Sequence, residues 1–282
     1  MTKCQQQTVA QAVTYAGVGL HSGQETELKL LPGAVNTGIV FVRTDLPGNP
    51  EIPARPQNVT STVKATTVSV GGAEVFTIEH LMAALSMLGI DNCRIEMSSP
   101  EPPVTDGSAG VFTNLILQAG VQVQNAQRQV FAVDRAFAVH DGDKYICILP
   151  YDGYRVSFTS INAHPLLGTQ YFDIELTKES FLREIATART VAFMSEVEQM
   201  HKMGLGLGGN TENVVVFDEQ EILSVPRFEN ELIRHKILDV IGDLFLLGPI
   251  KGHVIAVKTG HAYNAEIARQ IEAYRNKGEK TT

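Results

Sequence analysis

One segment of the sequence carries acidic and imidazole side chains at a spacing suited to chemistry. His235, Asp239 and Asp243 recur at i, i+4 and i+8 within residues 228–248, a segment that is otherwise apolar on nearly every side. The pattern predicts a buried helix with these three side chains in one stripe. Because unpaired carboxylates and imidazoles are costly to bury, the stripe needs either protein partners or a bound cation. On this helix alone, a metal site and a fully hydrogen-bonded polar contact between two helices are equally good interpretations.

A second candidate pair comes earlier in the chain. Glu79 and His80 are adjacent in the first turn of a predicted helix whose N-cap is Thr77. If both helices reach a shared interior, His80, His235 and Asp239 would form a set of two nitrogen ligands and one oxygen ligand. Such a set, with a fourth position left for water and no thiolate, is typical of catalytic zinc rather than structural zinc.

Three further side chains are candidates for roles around such a metal. Glu79 lies next to a ligand without having to be one, which suits a general base acting on metal-activated water. His261 follows a predicted buried strand and is placed to protonate a leaving group, with Asp243 as the carboxylate that keeps it charged. Taken alone, a surface histidine near a turn is the commoner interpretation of His261. Lys236 projects about 100° away from His235 on the helix and is within reach of an anionic ligand, although a solvated charge is the commoner role of a single lysine.

The composition describes an ordinary globular protein. The chain has 282 residues, 44% of them hydrophobic and 19% charged, which predicts one large domain or, more in keeping with its length, two. A net charge of −8 argues against nucleic acid as a partner. Cys4, Cys93 and Cys147 are widely spaced and predict free thiols in a reducing compartment. Without an apolar leader or about 18 consecutive apolar residues, the sequence predicts a cytoplasmic protein with no integral membrane segment.

Hydrophobic periodicity predicts an α+β chain built from two similar series of elements. Residues 19–23 before Leu31-Pro32 resemble residues 139–142 before Leu149-Pro150, and the two chemistry-bearing helices both end in Leu-Gly before a strand. We therefore predict a first α+β domain at 1–125 and a second at 126–282, joined by a polar connector at 122–129. The predicted strands are 8–17, 25–31, 38–43, 57–70, 92–97, 130–139, 145–149, 154–160, 214–217 and 253–258. The predicted helices are 77–88, 109–119, 179–185, 228–247, 264–274 and, beyond its first residues, 190–201.

Several separate motifs, taken in order, carry a family resemblance. They are GVGLHSG at 17–23, TIEHL at 77–81, PVTDGS at 103–108, ART at 188–190, GLGLGG at 204–209, RHKILDVIGDL at 234–244 and GH at 260–261. With these motifs the chain resembles, over about residues 8–270, the LpxC family of UDP-3-O-acyl-N-acetylglucosamine deacetylases. These are zinc amidases of lipid A biosynthesis in Gram-negative bacteria.

The resemblance implies a fold, a reaction and a role for each matching residue. The fold would be a sandwich of two similar α/β units, with helices packed between outer β-sheets and the active site at the domain interface. The reaction would be zinc-dependent hydrolysis of the N-acetyl group of UDP-3-O-acyl-N-acetylglucosamine, which is the committed step of lipid A biosynthesis. The enzyme would be a monomer that contains Zn²⁺, or Fe²⁺ in the cell. The implied roles are metal ligation by His80, His235 and Asp239, general base catalysis by Glu79, general acid catalysis by His261 supported by Asp243, oxyanion stabilisation by Thr190 and nucleotide binding by Lys236.

The resemblance also implies an insert at about 190–210 that forms a hydrophobic passage for the substrate's acyl chain. Its candidate substrate-binding residues are Phe193, Met194 and Gly209. The apolar residues that would suit the lining, since methionine fills irregular space adaptably, are Met194, Val197, Met200, Met203 and Leu205. Core packing is the alternative role of this segment. Val191 and Asn162 stand where many members have aromatic residues, which leaves open how the uracil is held.

Two other classes of function remain open from the sequence. One is a protein that binds nucleotide sugars or acyl chains without turnover. The pair of Glu79 and His261 argues against it, because binding needs neither a base nor an acid. The other is a metal amidase that acts on a different N-acyl sugar, which a comparison of UDP-linked and free sugar substrates would separate.

Overall fold

The computed structural model describes residues 4–279. The outermost residues of the two predicted domains, 1–3 and 280–282, lie outside the described residues. The chain mixes helices and sheets, which agrees with the predicted α+β class. Among the described residues, no helix combines the length and the apolar character needed to cross a membrane.

The N-terminal half is organised around a five-stranded sheet. Its elements are β1 (Gln5–Val9), β2 (Val13–Val18), β3 (Glu25–Pro32), β4 (Ile39–Arg43), β5 (Glu51–Pro53), β6 (Val59–Ser61), β7 (Thr67–Val70), β8 (Ala73–Phe76), α1 (Glu79–Met87), β9 (Cys93–Met97), α2 (Gly110–Ala119) and β10 (Val121–Gln127). The sheet order is β2-β3-β9-β4-β5. Strand β9 runs antiparallel to β3 and parallel to β4. The three antiparallel strands β6, β7 and β8 form a separate small sheet, which is followed by α1.

The main sheet of the C-terminal half has the same strand order as the five-stranded sheet of the N-terminal half. The elements of this half are β11 (Phe131–Ala132), β12 (Phe137–Asp141), β13 (Lys144–Leu149), β14 (Tyr154–Ile161), β15 (Thr169–Glu175), α3 (Lys178–Glu184), β16 (Val191–Phe193), α4 (Met194–Lys202), β17 (Val215–Phe217), α5 (Glu231–Leu244), β18 (Ile250–Val257) and α6 (His261–Glu279). The order β12-β13-β18-β14-β15 matches the first sheet strand for strand, and β11 pairs additionally with β18. Strand β18 runs antiparallel to β13 and parallel to β14, as β9 does to its own neighbours.

Helices α1 and α5 pack against each other, each immediately before the strand that is central in its sheet. The apolar side chains of α5 are buried on nearly all sides, as its composition predicts. The helix continues into a 3₁₀ turn at Phe245–Leu247, and Gly248, with φ of 77°, ends it before Pro249. This stop agrees with the sequence-based prediction.

The prediction that Thr77 caps the first helix is wrong. Thr77 has a φ of 56°, and its hydroxyl donates to Oε1 of the buried Glu101 at 2.7 Å, whereas an N-cap hydroxyl would accept from a helix N–H. Helix α1 begins at Glu79, and Ile78 precedes it without a side-chain cap. An N-cap residue typically has β-region backbone angles, which the positive φ of Thr77 does not allow.

Most of the predicted connector at 122–129 has regular structure, because Val121–Gln127 form β10, which pairs antiparallel with β1. Its side chains are largely exposed on both faces, so its composition resembles that of a loop. The predicted strand 57–70 is broken by a 3₁₀ turn at Pro56–Asn58 and by residues 62–66 between β6 and β7. Strand β15, at the edge of the second sheet, was not predicted.

Candidate active site

Three side chains that could hold a metal ion meet where α1 packs against α5. The candidate ligand atoms of His80, His235 and Asp239 all lie within 4.8 Å of one another. Asp239 Oδ1 is 4.0 Å from His80 Nε2 and 3.3 Å from His235 Nε2. It is buried and has no hydrogen-bond partner. A buried carboxylate oxygen without a donor, facing two imidazole nitrogens, is an arrangement that a cation would satisfy.

The surroundings of these side chains hold both imidazoles in the metal-binding form. His235 Nδ1 lies 3.0 Å from the carbonyl oxygen of Ala188, to which it donates, so that Nε2 keeps its lone pair. Burial lowers the pKa of His80 to about 3, with the neighbouring His235 acting in the same direction. Burial also lowers the pKa of His235. Lys236 Nζ donates to Asp239 Oδ2 at 2.9 Å and keeps that carboxylate charged.

A second set, Glu79, Asp243 and His261, lies beside the first. Its candidate ligand atoms also lie within 4.8 Å of one another. His261 Nδ1 lies 2.8 Å from Asp243 Oδ2, and His261 Nε2 lies 3.9 Å from Glu79 Oε1. Burial alone would lower the pKa of His261, but the charges of Asp243 and Glu79 outweigh it and raise that pKa to about 10. Burial raises the pKa of Glu79 to about 8 against the opposing charge of His261. The set therefore combines a charged imidazole with a carboxyl that can take up a proton.

Residues 188–190 are held on α5 at two points. Ala188 accepts from His235, and the backbone N–H of Arg189 donates to Glu231 Oε1 at 2.9 Å, one helical turn before His235. The Arg189 side chain donates to both Glu231 oxygens, and this ion pair is buried. Thr190 is thereby fixed at the cavity wall.

A cavity of about 720 Å³ opens onto both sets of side chains. The site residues that line it are Glu79, His80, Thr190, His235, Lys236, Asp239 and His261. Basic side chains contribute as well, namely Lys64, Lys144 and Lys258. Its apolar lining includes Phe158, Val191, Phe193, Met194, Val197, Met200, Val214, Val216, Leu223 and Leu232. The cavity thus combines the two clusters of polar side chains, several lysine side chains and an extended apolar surface.

Comparisons with known proteins agree on one family. The model of the family described as "UDP-3-O-acyl N-acetylglycosamine deacetylase" (LpxC) matches residues 6–273. The chain belongs to this family. The prediction of an enzyme, a hydrolase of the deacetylase family, is confirmed.

Individual relatives are similar over nearly their whole length. A UDP-3-O-acyl-N-acetylglucosamine deacetylase of Anaeromyxobacter dehalogenans (strain 2CP-C) is 46% identical over 276 residues, 97% of this chain and 89% of the relative. The protein of the same name from Myxococcus xanthus (strain DK1622) is 45% identical over 269 residues, 94% of this chain and 86% of the relative. That of Hahella chejuensis (strain KCTC 2396) is 41% identical over 286 residues, 98% of this chain and 93% of the relative.

Most predicted site residues of this deacetylase-family chain surround one cavity. Phe193, Met194 and Gly209 line it, as do Val197 and Met200. Asp243 lies behind His261 and is 1% exposed. Two of the predicted apolar residues, Met203 and Leu205, do not line the cavity, because they follow the end of α4, where Met203 is 58% exposed.

Other residues of this deacetylase-family site were missed. Lys64, Lys144 and Lys258 line the cavity, but a single lysine in a loop or at a strand end carries no signal of its own. His21, within a family motif, also lines it. Thr66 contacts two site carboxylates from a segment predicted to be an uninterrupted strand.

Proposed function

We propose that the chain hydrolyses the N-acetyl group of UDP-3-O-acyl-N-acetylglucosamine, giving UDP-3-O-acyl-glucosamine and acetate, in the lipid A biosynthesis of Gram-negative bacteria. The observation that carries the proposal is that a three-donor set suited to a metal and a proton-transfer set lie side by side at one cavity, with Asp243 behind His261. Membership of the deacetylase family supports the substrate class.

The metal in this proposal is Zn²⁺, with Fe²⁺ as an alternative in the cell. Two neutral imidazoles and one carboxylate, from His80, His235 and Asp239, suit both ions. The unpartnered Asp239 Oδ1 fits a ligand position. When bound, the ion supplies Lewis-acid polarisation of water and of the amide carbonyl.

The neighbouring side chains move the protons. Glu79, as general base, takes a proton from the attacking water. His261, as general acid, donates a proton to the departing glucosamine nitrogen, and Asp243 holds its ring through Nδ1. The Thr190 hydroxyl stabilises the negative charge that develops on the carbonyl oxygen. The position of these groups around one cavity supports this division of roles.

The remaining lining suits the two ends of the substrate. Lys144, Lys236 and Lys258 offer positive charge to the diphosphate of the UDP group. Phe193, Met194 and Gly209 belong to the apolar surface that would receive the acyl chain. A ligand with both an anionic head and a long apolar chain matches this mixture better than a free sugar does.

We also propose that the chain consists of two similar α/β units, 1–125 and 126–282, that form a sandwich with the site at their interface. The identical strand order and strand directions of the two five-strand series support this duplication. The packing of α1 against α5 supports a site between the halves. The free cysteines support a proposed cytoplasmic location. We propose that the protein is a monomer, which light scattering of the purified protein would test.

Metal analysis combined with an acetate-release assay tests the function. We expect about one Zn²⁺ per chain and acetate release from the UDP-linked substrate, with little from the free sugar. A protein that binds the substrate without releasing acetate would be a binding protein and would contradict the proposal. Equal turnover of UDP-linked and free N-acyl sugars would favour an amidase of different specificity.

A further inference from the structure

Thr66 hydrogen-bonds to two carboxylates of the site at once. Its backbone N–H donates to Glu79 Oε2 at 3.1 Å, and its hydroxyl donates to Asp243 Oδ1 at 2.6 Å. The residue is 1% exposed. One residue thus connects the proposed base on α1 with the carboxylate on α5 that holds the proposed acid.

The small sheet of β6, β7 and β8 fixes the position of Thr66. The following residue, Thr67, pairs with Ser61 on one side and with Phe76 on the other. Phe76 ends β8 three residues before Glu79, so the sheet and the start of α1 are directly connected. Thr66 therefore lies directly before β7, and the pairing of Thr67 on both sides anchors it next to the start of α1.

Each of the two hydrogen bonds orients one carboxylate. Asp243 uses Oδ2 for His261 Nδ1 and for Asn264 Nδ2, both at 2.8 Å, while Oδ1 accepts from Thr66. Without the Thr66 hydroxyl, Oδ1 would lose its donor in a buried position, and only the two contacts on Oδ2 would orient the carboxylate. On Glu79, the Thr66 N–H occupies Oε2, and the other oxygen, Oε1, is the one that faces His261 Nε2.

We propose that Thr66 is a positioning residue for the deacetylation, because it sets the orientation of Glu79 relative to the Asp243–His261 pair. The inference rests on the proposed function, in which these groups are base and acid. Thr66 does not line the cavity, so it acts through the carboxylates and not on the substrate.

The substitution Thr66→Val tests this, since it keeps the backbone N–H and the β-branched shape but removes the hydroxyl. We expect kcat to fall about 10- to 100-fold, as for other partners that orient reacting groups, with KM and zinc content close to wild type. Thr66→Ser restores the donor and should return kcat to within about threefold of wild type. The matched control is Thr67→Val, the adjacent half-buried threonine, which should leave kcat unchanged.

A double-mutant cycle with Asp243→Asn shows whether Thr66 works through that carboxylate. We expect Thr66→Val to lower kcat much less in the Asp243→Asn background than in wild type, because the partner is already altered. Equal fold-losses in both backgrounds, or a Thr66→Val enzyme with wild-type kcat, would overturn the inference. Thr66→Ala, measured alongside, takes the place of Thr66→Val in both comparisons if thermal melting shows that the valine variant does not fold.

Failure of the proposed function has a different signature. It would appear as absence of acetate release by the wild-type protein on the UDP-linked substrate. An active wild type with an unaffected Thr66→Val variant would remove only the positioning role.

Discussion

A Cβ atom on Gly242 would lie 2.0 Å from the carbonyl oxygen of Glu79. This close approach joins the first residue of α1 to the last turn of α5, three residues after Asp239 and directly before Asp243. Real side chains do not approach a backbone oxygen so closely, so glycine at 242 sets the distance between the two helices. Because the site is shared by these helices, this distance also determines whether its two halves meet.

Gly242→Ala should therefore damage the site although no reacting group is removed. Alanine favours the helix by up to about 1 kcal/mol, but the clash with backbone should cost about 1–3 kcal/mol and displace His80 from His235 and Asp239. We expect a lower melting temperature and a lower zinc content. Wild-type zinc binding and wild-type kcat in this variant would show that α1 can shift without consequence.

Substitution of a proposed metal ligand and of the proposed base should separate metal binding from catalysis. His235→Ala removes a buried donor, so we expect the protein to lose both zinc and activity. Glu79→Ala should keep its zinc, because Glu79 is not in the ligand set, and should lose about 10²- to 10⁴-fold in kcat. Metal analysis and acetate release on the same preparations decide the point. Zinc at the wild-type level in His235→Ala would remove it from the ligand set.

His261→Ala should slow turnover without affecting the metal. The ring lies 2.8 Å from Asp243 and is not one of the three clustered ligand side chains. We expect kcat to fall about 10²- to 10⁴-fold, as for loss of a general acid, with zinc content unchanged. An unaffected rate would exclude the acid role, and the His253→Ala substitution on the second sheet provides a histidine control outside the cavity.

Much of this site was predictable because its parts are local in sequence. The i, i+4, i+8 stripe on α5 and the adjacent Glu79 and His80 each require only helical periodicity. What joins them is not local, since Thr66 lies 177 residues from its partner Asp243. The error at Thr77 has the same origin, because its hydroxyl is taken by Glu101, 24 residues away, which no capping pattern reveals.

The buried ion pair of Arg189 and Glu231 should make stability depend on pH. Burial alone would raise the pKa of Glu231, but hydrogen bonds from Arg189 outweigh it and lower that pKa below its ordinary value of 4.5. The stabilisation is therefore present above pH 4.5 and is lost as the pH falls through the lowered pKa. Glu231→Gln should cost about 3–5 kcal/mol at neutral pH and flatten the acid-side loss of stability.

Thermal or urea unfolding at several pH values measures both effects. The matched control is Glu198→Gln, which breaks the exposed helical pair with Lys202 and should change stability little. A Glu231→Gln protein whose stability falls with acid as steeply as that of the wild type would show that other carboxyls dominate.

Two roles are proposed for Lys236, support of the proposed metal ligand Asp239 and binding of the nucleotide, and its substitution shows which role dominates. In the structure its ammonium donates to Asp239 Oδ2, while the sequence resemblance implies contact with the nucleotide. Lys236→Gln should lower zinc affinity about 10- to 100-fold if the Asp239 contact dominates, because ligand partners tune metal binding. A raised KM for the UDP-linked substrate, with zinc affinity intact, would instead support nucleotide binding alone. Lys258→Gln is the control, because Lys258 also lines the cavity but pairs with Asp143, and we expect it to affect KM and not zinc.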